Sequence, residues 1–183
     1  MKIALTFVSI ACFAGCKNSN RSNGLGLVNK GENLSAKANP DSVKIVGEGI
    51  LEGEYIGGKN EKYILPLMDS LDNKRNRSFY FKVFGKITEQ ADGYIAEAIG
   101  SHALKYFESA PMEFIQNSKF ISDSTFNLIA YATGVEISLS SDNLAKAEEE
   151  FEKLRTGTIT KCKGISESNK LKLDQFFTRM RPV

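Results

Sequence analysis

The sequence predicts an all-α protein: an antiparallel helical-hairpin array or bundle of about seven helices, behind an N-terminal signal and a flexible tether. Three observations carry this prediction. Apolar residues recur at helical spacing three times in succession, as Tyr63, Ile64, Leu67, Met68, Leu71, then Phe79, Tyr80, Val83, Phe84, Ile87, then Ile95, Ala98, Ile99 with His102 in the last place. Each set gives one wide apolar face, and the sets lie a three-turn helix plus a short turn apart. Residues suited to cap helices precede several of these stretches. Polar turns, Asn73–Asn76 and Ala91-Asp92-Gly93, separate them.

The elements follow in order. Asn39-Pro40-Asp41 offers an N-cap and a proline at the first helical position, with Val43, Val46 and Ile50 on one face behind it. Gly47, Gly49 and Gly53 weaken a helix there, so a glycine-rich strand over 43–56 stands as its rival. Gly57-Gly58 ends the element in either case. Pro66 falls inside the second apolar stripe and either opens that helix near Leu65 or kinks it. Asp92 is the candidate cap of the helix carrying Ile95, and Pro111 opens a short one. Ser122-Asp123-Ser124 caps a helix with Phe126, Ile129, Ala130, Thr133 and Ile137. That helix is apolar on further sides too, through Leu128 and Tyr131, which predicts a central, largely buried position. Gly134 within it would admit a neighbouring helix. Ser141-Asp142 caps the next, whose Leu144, Ala147, Phe151 and Leu154 face inward and whose Glu148, Glu149, Glu150 and Glu152 form an acidic face. Lys146 with Glu150 and Glu149 with Lys153 are i,i+4 pairs, and Gly157 ends the helix. Thr158–Gly164 is expected as a short strand or loop. Ser166 caps the last helix, with Leu173, Phe176, Phe177 and Met180 inward.

The N-terminus has a different character. Met1 and Lys2 precede an apolar stretch from Ile3 to Ala14 broken only by Thr6 and Ser9. One positive charge, a dozen apolar residues and a small-residue exit form a secretory signal, too short for a membrane span. Phe13-Ala14-Gly15-Cys16 resembles the lipobox of bacterial lipoproteins, with Phe13 in the place usually held by Leu. The resemblance implies cleavage before Cys16, a lipid on its thiol and two or three acyl chains in the mature protein. Cys12 fits the motif less well and would leave with the signal. Lys17-Asn18 follows Cys16 without an aspartate, which under the sorting rule of some Gram-negative species points to the outer membrane. Arg77–Val83 and Ala91–Glu97 are similar to segments of small helical Gram-negative lipoproteins, a likeness that transfers no activity.

The expected organisation is therefore signal 1–15, lipidated tether 16–39 and one helical domain 40–183. The tether, rich in Asn, Ser, Gly and Lys, has an r.m.s. reach of roughly 25 Å if flexible. Its Lys17, Arg21 and Lys30 precede the first acid, Glu32, so it carries +3, which suits anionic headgroups. From Glu32 on there are 20 basic and 22 acidic residues, a body without the basic face that nucleic acid requires. Lys74, Arg75 and Arg77 are the one tight basic group and are expected on a solvated turn.

Little in the sequence demands chemistry. A nucleophile–base pair would need Cys162 beside His102. Lys161 and Lys163 flank that thiol and would lower its pKa. His102 itself sits on a helical stripe and is expected to be a satisfied, partly buried residue. There is no Gly-x-Ser-x-Gly elbow, no phosphate loop and no Cys/His cluster at metal spacing, so no cofactor or metal is implied. Glu48, Glu52 and Glu54, or Asp69 and Asp72, are the carboxylate groups a glycosidase would use, but acids are ordinary on helix surfaces. The expected function is a lipid-anchored, non-catalytic envelope protein that binds another protein, as an inhibitor of the immunity type or as an adaptor. The alternative is an envelope hydrolase using scattered carboxylates or His102 and Cys162.

Overall fold

Asn39 begins the part of the chain, residues 39–182, that the computed structural model describes. The signal, Cys16 and most of the tether lie outside the described residues. Asn39 Oδ1 accepts from the Asp41 backbone N–H at 3.1 Å, and helix α1 (Pro40–Leu51) follows. Pro40 occupies the first position, where its missing N–H removes no intrahelical bond. The strand rival is thus overturned, and α1 buries Val43, Gly47 and Ile50. The chain turns away at Gly53, whose φ of 104° is left-handed backbone that glycine adopts without a Cβ clash. The element therefore ends before Gly57-Gly58.

α2 (Glu61–Asp69) continues through Pro66 and tightens into a 3₁₀ turn, Ser70–Asp72. Pro66 does not open the helix, because the first turn is already formed from Glu61. Ser70 Oγ donates to the Pro66 carbonyl at 2.7 Å. α2 and its 3₁₀ turn, α3 (Arg77–Gln90) and α4 (Gly93–Ser109) bury the three expected stripes in turn: Ile64, Leu67, Met68 and Leu71, then Tyr80, Val83, Phe84 and Ile87, then Ile95 and Ile99. Asp92 holds the cap position of α4 but makes no side-chain capping bond. α5 (Pro111–Asn117) starts on its proline and continues into a 3₁₀ turn, Ser118–Phe120. α6 (Asp123–Ser140) is capped by Ser122 Oγ, which accepts from Thr125 N–H at 3.1 Å.

α7 (Leu144–Lys161) corrects two expectations. Its cap is Asn143, which accepts from Lys146 N–H at 3.0 Å, and it passes Gly157 by a further turn. Thr158 is buried on that extra turn, so packing outweighs the roughly 1 kcal/mol that a helical glycine costs. The strand or loop expected over Thr158–Gly164 is the helix end and its turn, closed by Gly164 at φ 86°. α8 (Glu167–Arg179) is capped by Ser166 and buries Leu173, Phe176 and Phe177, with Met180 behind them.

The result is an all-α bundle of eight helices among the described residues, one more than expected, and no strand. Pairing often skips a neighbour: α1 packs on α3, α6 on α8, and the most extensive contact is α4 against α6. The skipped α5 is enclosed instead. Phe114 at its centre has rings around it from α3, α4 and α8: Phe81 at 5.3 Å, Tyr106 and Phe107 both at 5.3 Å, and Phe176 at 5.0 Å. Such edge-to-face pairs each add about 0.5–1.5 kcal/mol beyond burial.

Arg77 belongs to this core rather than to a solvated turn. It is 5 % exposed, while Lys74 and Arg75 stay in water. Its Nε donates to the Leu71 carbonyl at 2.8 Å, Nη1 donates to Glu113 Oε2, and the guanidinium lies over the Tyr106 ring. The Tyr106 hydroxyl accepts from Asn117 Nδ2 at 2.9 Å, and Asn117 Oδ1 accepts from Ser78 Oγ at 3.0 Å. Burial, with the Glu113 charge adding to it, pushes the Tyr106 phenol well above its ordinary value. Every buried side-chain polar atom among the described residues has a partner, as a close-packed interior requires.

Candidate functional site

α6 is apolar on several sides, yet only part of it is covered. Phe126, Ile129, Ala130, Thr133 and Ile137 are buried. Leu128 is 53 % exposed, Tyr131 55 % and Leu139 78 %. The expectation that this helix is largely buried is corrected. The cause is where its neighbours sit. α8 ends against Gly134, where a Cβ would stand 2.4 Å from the Met180 carbonyl oxygen. α4 presses on the next side, where a Cβ on Gly100 would stand 2.4 Å from the Ala132 carbonyl oxygen. Beyond these two contacts Leu128, Tyr131 and Leu139 are covered by no other element among the described residues.

What remains is an open groove of about 390 Å³ between α6, the first half of α4 and the end of α3. Ile99, Ala132 and Val135 form its floor, and Leu128, Tyr131 and Leu139 its outer wall. Thr88 contributes no free polar group, since its hydroxyl donates to the Phe84 carbonyl at 2.9 Å. The charged lining residues are Glu97 and Glu136, both acidic, and neither has an ion-pair partner among the described residues. Leu128, Ala132, Val135 and Leu139 stand at i, i+4, i+7 and i+11, the seam of a helix that packs along another helix. The sequence reading missed this site. Its signal was the second apolar stripe on α6, beside the stripe that faces the core.

The residues singled out for chemistry are placed differently. His102 is half-buried and satisfied: Nδ1 donates to the Ala98 carbonyl at 2.8 Å, and Nε2 stands 3.2 Å from Asp69 Oδ1. Cys162 is 4 % exposed at the end of α7, and no hydrogen bond joins it to His102. Burial pushes its thiol up from the ordinary value and outweighs Lys161, so the lowering expected from the flanking lysines does not prevail.

Asp69 and Asp72 each reach a side chain on α4, Asp69 lying beside His102 Nε2 and Asp72 pairing with Lys105 at 2.6 Å. Glu48 pairs with Lys44, and Glu54 accepts from Asn60 Nδ2 at 3.0 Å. The acidic residues of α7 are exposed, but their pairing differs from expectation. Lys146 bonds Asp142, one turn before it, while Glu150 accepts from Ser141 Oγ. No group of three or more His, Cys, Asp or Glu side chains suited to a metal occurs among the described residues. Nor is any described helix long and apolar enough to cross a membrane.

No known protein family, curated protein or solved structure matches this chain.

Proposed function

We propose that the chain is a lipid-anchored, non-catalytic protein of the cell envelope whose helical body binds another protein. The observation that carries this reading is the uncovered apolar groove between α4 and α6. A contiguous apolar surface with a polar rim is the usual signature of an interaction site. Anchoring rests on the lipobox-like Phe13-Ala14-Gly15-Cys16, with Cys16 as the lipid attachment site and the outer membrane as the destination. Two or more acyl chains would hold the protein stably. The immunity-type inhibitor and the adaptor are both forms of this reading. The hydrolase alternative draws no support from a buried Cys162 and a His102 that shares no bond with it.

Two in-cell measurements test the proposal. Cys16→Ala should abolish lipid labelling and release the chain from membranes; normal labelling would refute the anchor. A photo-crosslinking residue at Leu139, compared with one at the equally exposed Leu171 of α8, should give a discrete protein adduct at 139 only. Identical adduct patterns at the two positions, or none at 139, would remove the groove from consideration.

A further inference from the structure

We infer that the groove's occupant is an amphipathic α-helix of a partner protein, bearing apolar side chains at i, i+4, i+7 and i+11 and lysine or arginine beside them. This rests on the binding reading above and names its ligand. Three features of the groove carry it.

The first is length. From Leu128 to Leu139 the seam covers twelve residues, eleven steps of 1.5 Å or about 16 Å, which matches three turns of a facing helix. The second is shape. Leu128, Tyr131 and Leu139 stand half or more exposed, so the groove is shallow and open along its length. A helix laid in such a groove buries one face and keeps its backbone satisfied internally, which an extended peptide there would not. An acyl chain calls for an enclosed channel. The third is charge. Glu97 on α4 and Glu136 on α6 line the groove with no cation paired to either among the described residues. Glu136 lies beside the narrowest point, its Cβ 3.0 Å from where a Cβ on Gly100 would be. A second copy of this chain docked by two-fold symmetry would set the same acidic residues near their duplicates, an arrangement that repels. A cationic helix instead brings a charge to each.

The test uses two fluorescent 16-residue helical peptides with leucine at the four seam positions, one flanked by lysine and one by glutamate. Each is titrated by anisotropy against the full chain and against its Glu97→Lys/Glu136→Lys variant. One non-ionic detergent is used throughout, so that partition into micelles is common to all arms. The wild type should prefer the lysine peptide by at least about threefold, as expected for two rim charges. The variant should invert that preference, and added salt should shrink both differences. Glu97 is exposed and Glu136 half-buried beside Gly100, so circular dichroism is used to check that the variant folds before binding is compared.

An unchanged preference in the charge-swapped variant would overturn the inference. So would groove-dependent self-association in sedimentation, or capture of a fluorescent fatty acid that Leu128→Glu abolishes. If neither peptide binds while the Leu139 adduct persists in cells, the cationic helix is refuted and the binding reading stands. If the adduct is also absent, both fall.

Discussion

The two sides of α6 carry the same kind of residue and meet opposite fates. On one side Phe126, Ile129, Ala130 and Ile137 vanish beneath α3, α4 and α8; on the other, Leu128, Tyr131 and Leu139 stay in water. Apolar character alone therefore does not say which residues hold a fold together. Coverage does, and here it is set by the close approaches at Gly100 and Gly134. The covered side should govern stability and the open side should govern binding.

The largest test of that division lies at the core's hub. Phe114→Ala removes the ring around which Phe81, Tyr106, Phe107 and Phe176 pack, and should cost about 3–5 kcal/mol in urea unfolding. A loss below 1 kcal/mol would mean that the aromatic cluster is not the centre of the fold.

The close approach comes next. Gly100→Ala places a methyl against the Ala132 carbonyl and should destabilise by about 1–3 kcal/mol despite alanine's better helix propensity. Gly157→Ala, on the solvent side of α7 with nothing within 4 Å, should change stability in the opposite direction, by about 0.5–1 kcal/mol. Equal effects at the two glycines would undo the argument from proximity.

A smaller, pH-dependent effect belongs to the covered side. Glu89 on α3 accepts from Lys86 Nζ and from Thr125 Oγ1 of α6, both at 2.8 Å. The Lys86 bond first, and the Thr125 bond second, hold its carboxyl below the ordinary 4.5. A lowered pKa means that the ionised form is favoured in the folded state. That stabilisation is complete at neutral pH and is lost as pH falls through the lowered value. Glu89→Gln should therefore be less stable than wild type at pH 7, and the gap should close in acid. A gap independent of pH would assign the loss to packing instead.

The smallest effect should be on the open side. Leu139→Ser should shift unfolding by no more than about 0.5 kcal/mol, since its side chain loses little on exposure. A core-sized loss there would show that the seam is part of the fold.

How much of this was legible follows from how local each signal is. Helix starts were readable at Asn39, Ser122 and Ser166, because a cap bonds an N–H two or three residues away. Stripes were readable for the same reason. Ends depended on more distant contacts: Gly157 resembles a terminator, but burial of Thr158 carries α7 past it. Arg77 resembles part of a solvated basic turn, and only the fold brings it to Glu113, thirty-six residues on. The groove was half legible. Both apolar stripes of α6 are in the sequence, but which one α4 and α8 cover depends on packing at Gly100 and Gly134, and only the second of those was foreseen as a close approach. The lipid attachment proposed at Cys16 rests on a local motif, Phe13-Ala14-Gly15-Cys16, which lies outside the described residues.

The central claim is that the open seam of α6 is kept apolar for a partner and not for the fold. It is tested most directly by in-cell photo-crosslinking from Tyr131, with and without Leu128→Ser/Leu139→Ser, at matched levels of folded protein. Loss of the adduct in the double variant is the predicted result. An adduct of undiminished yield would contradict the account.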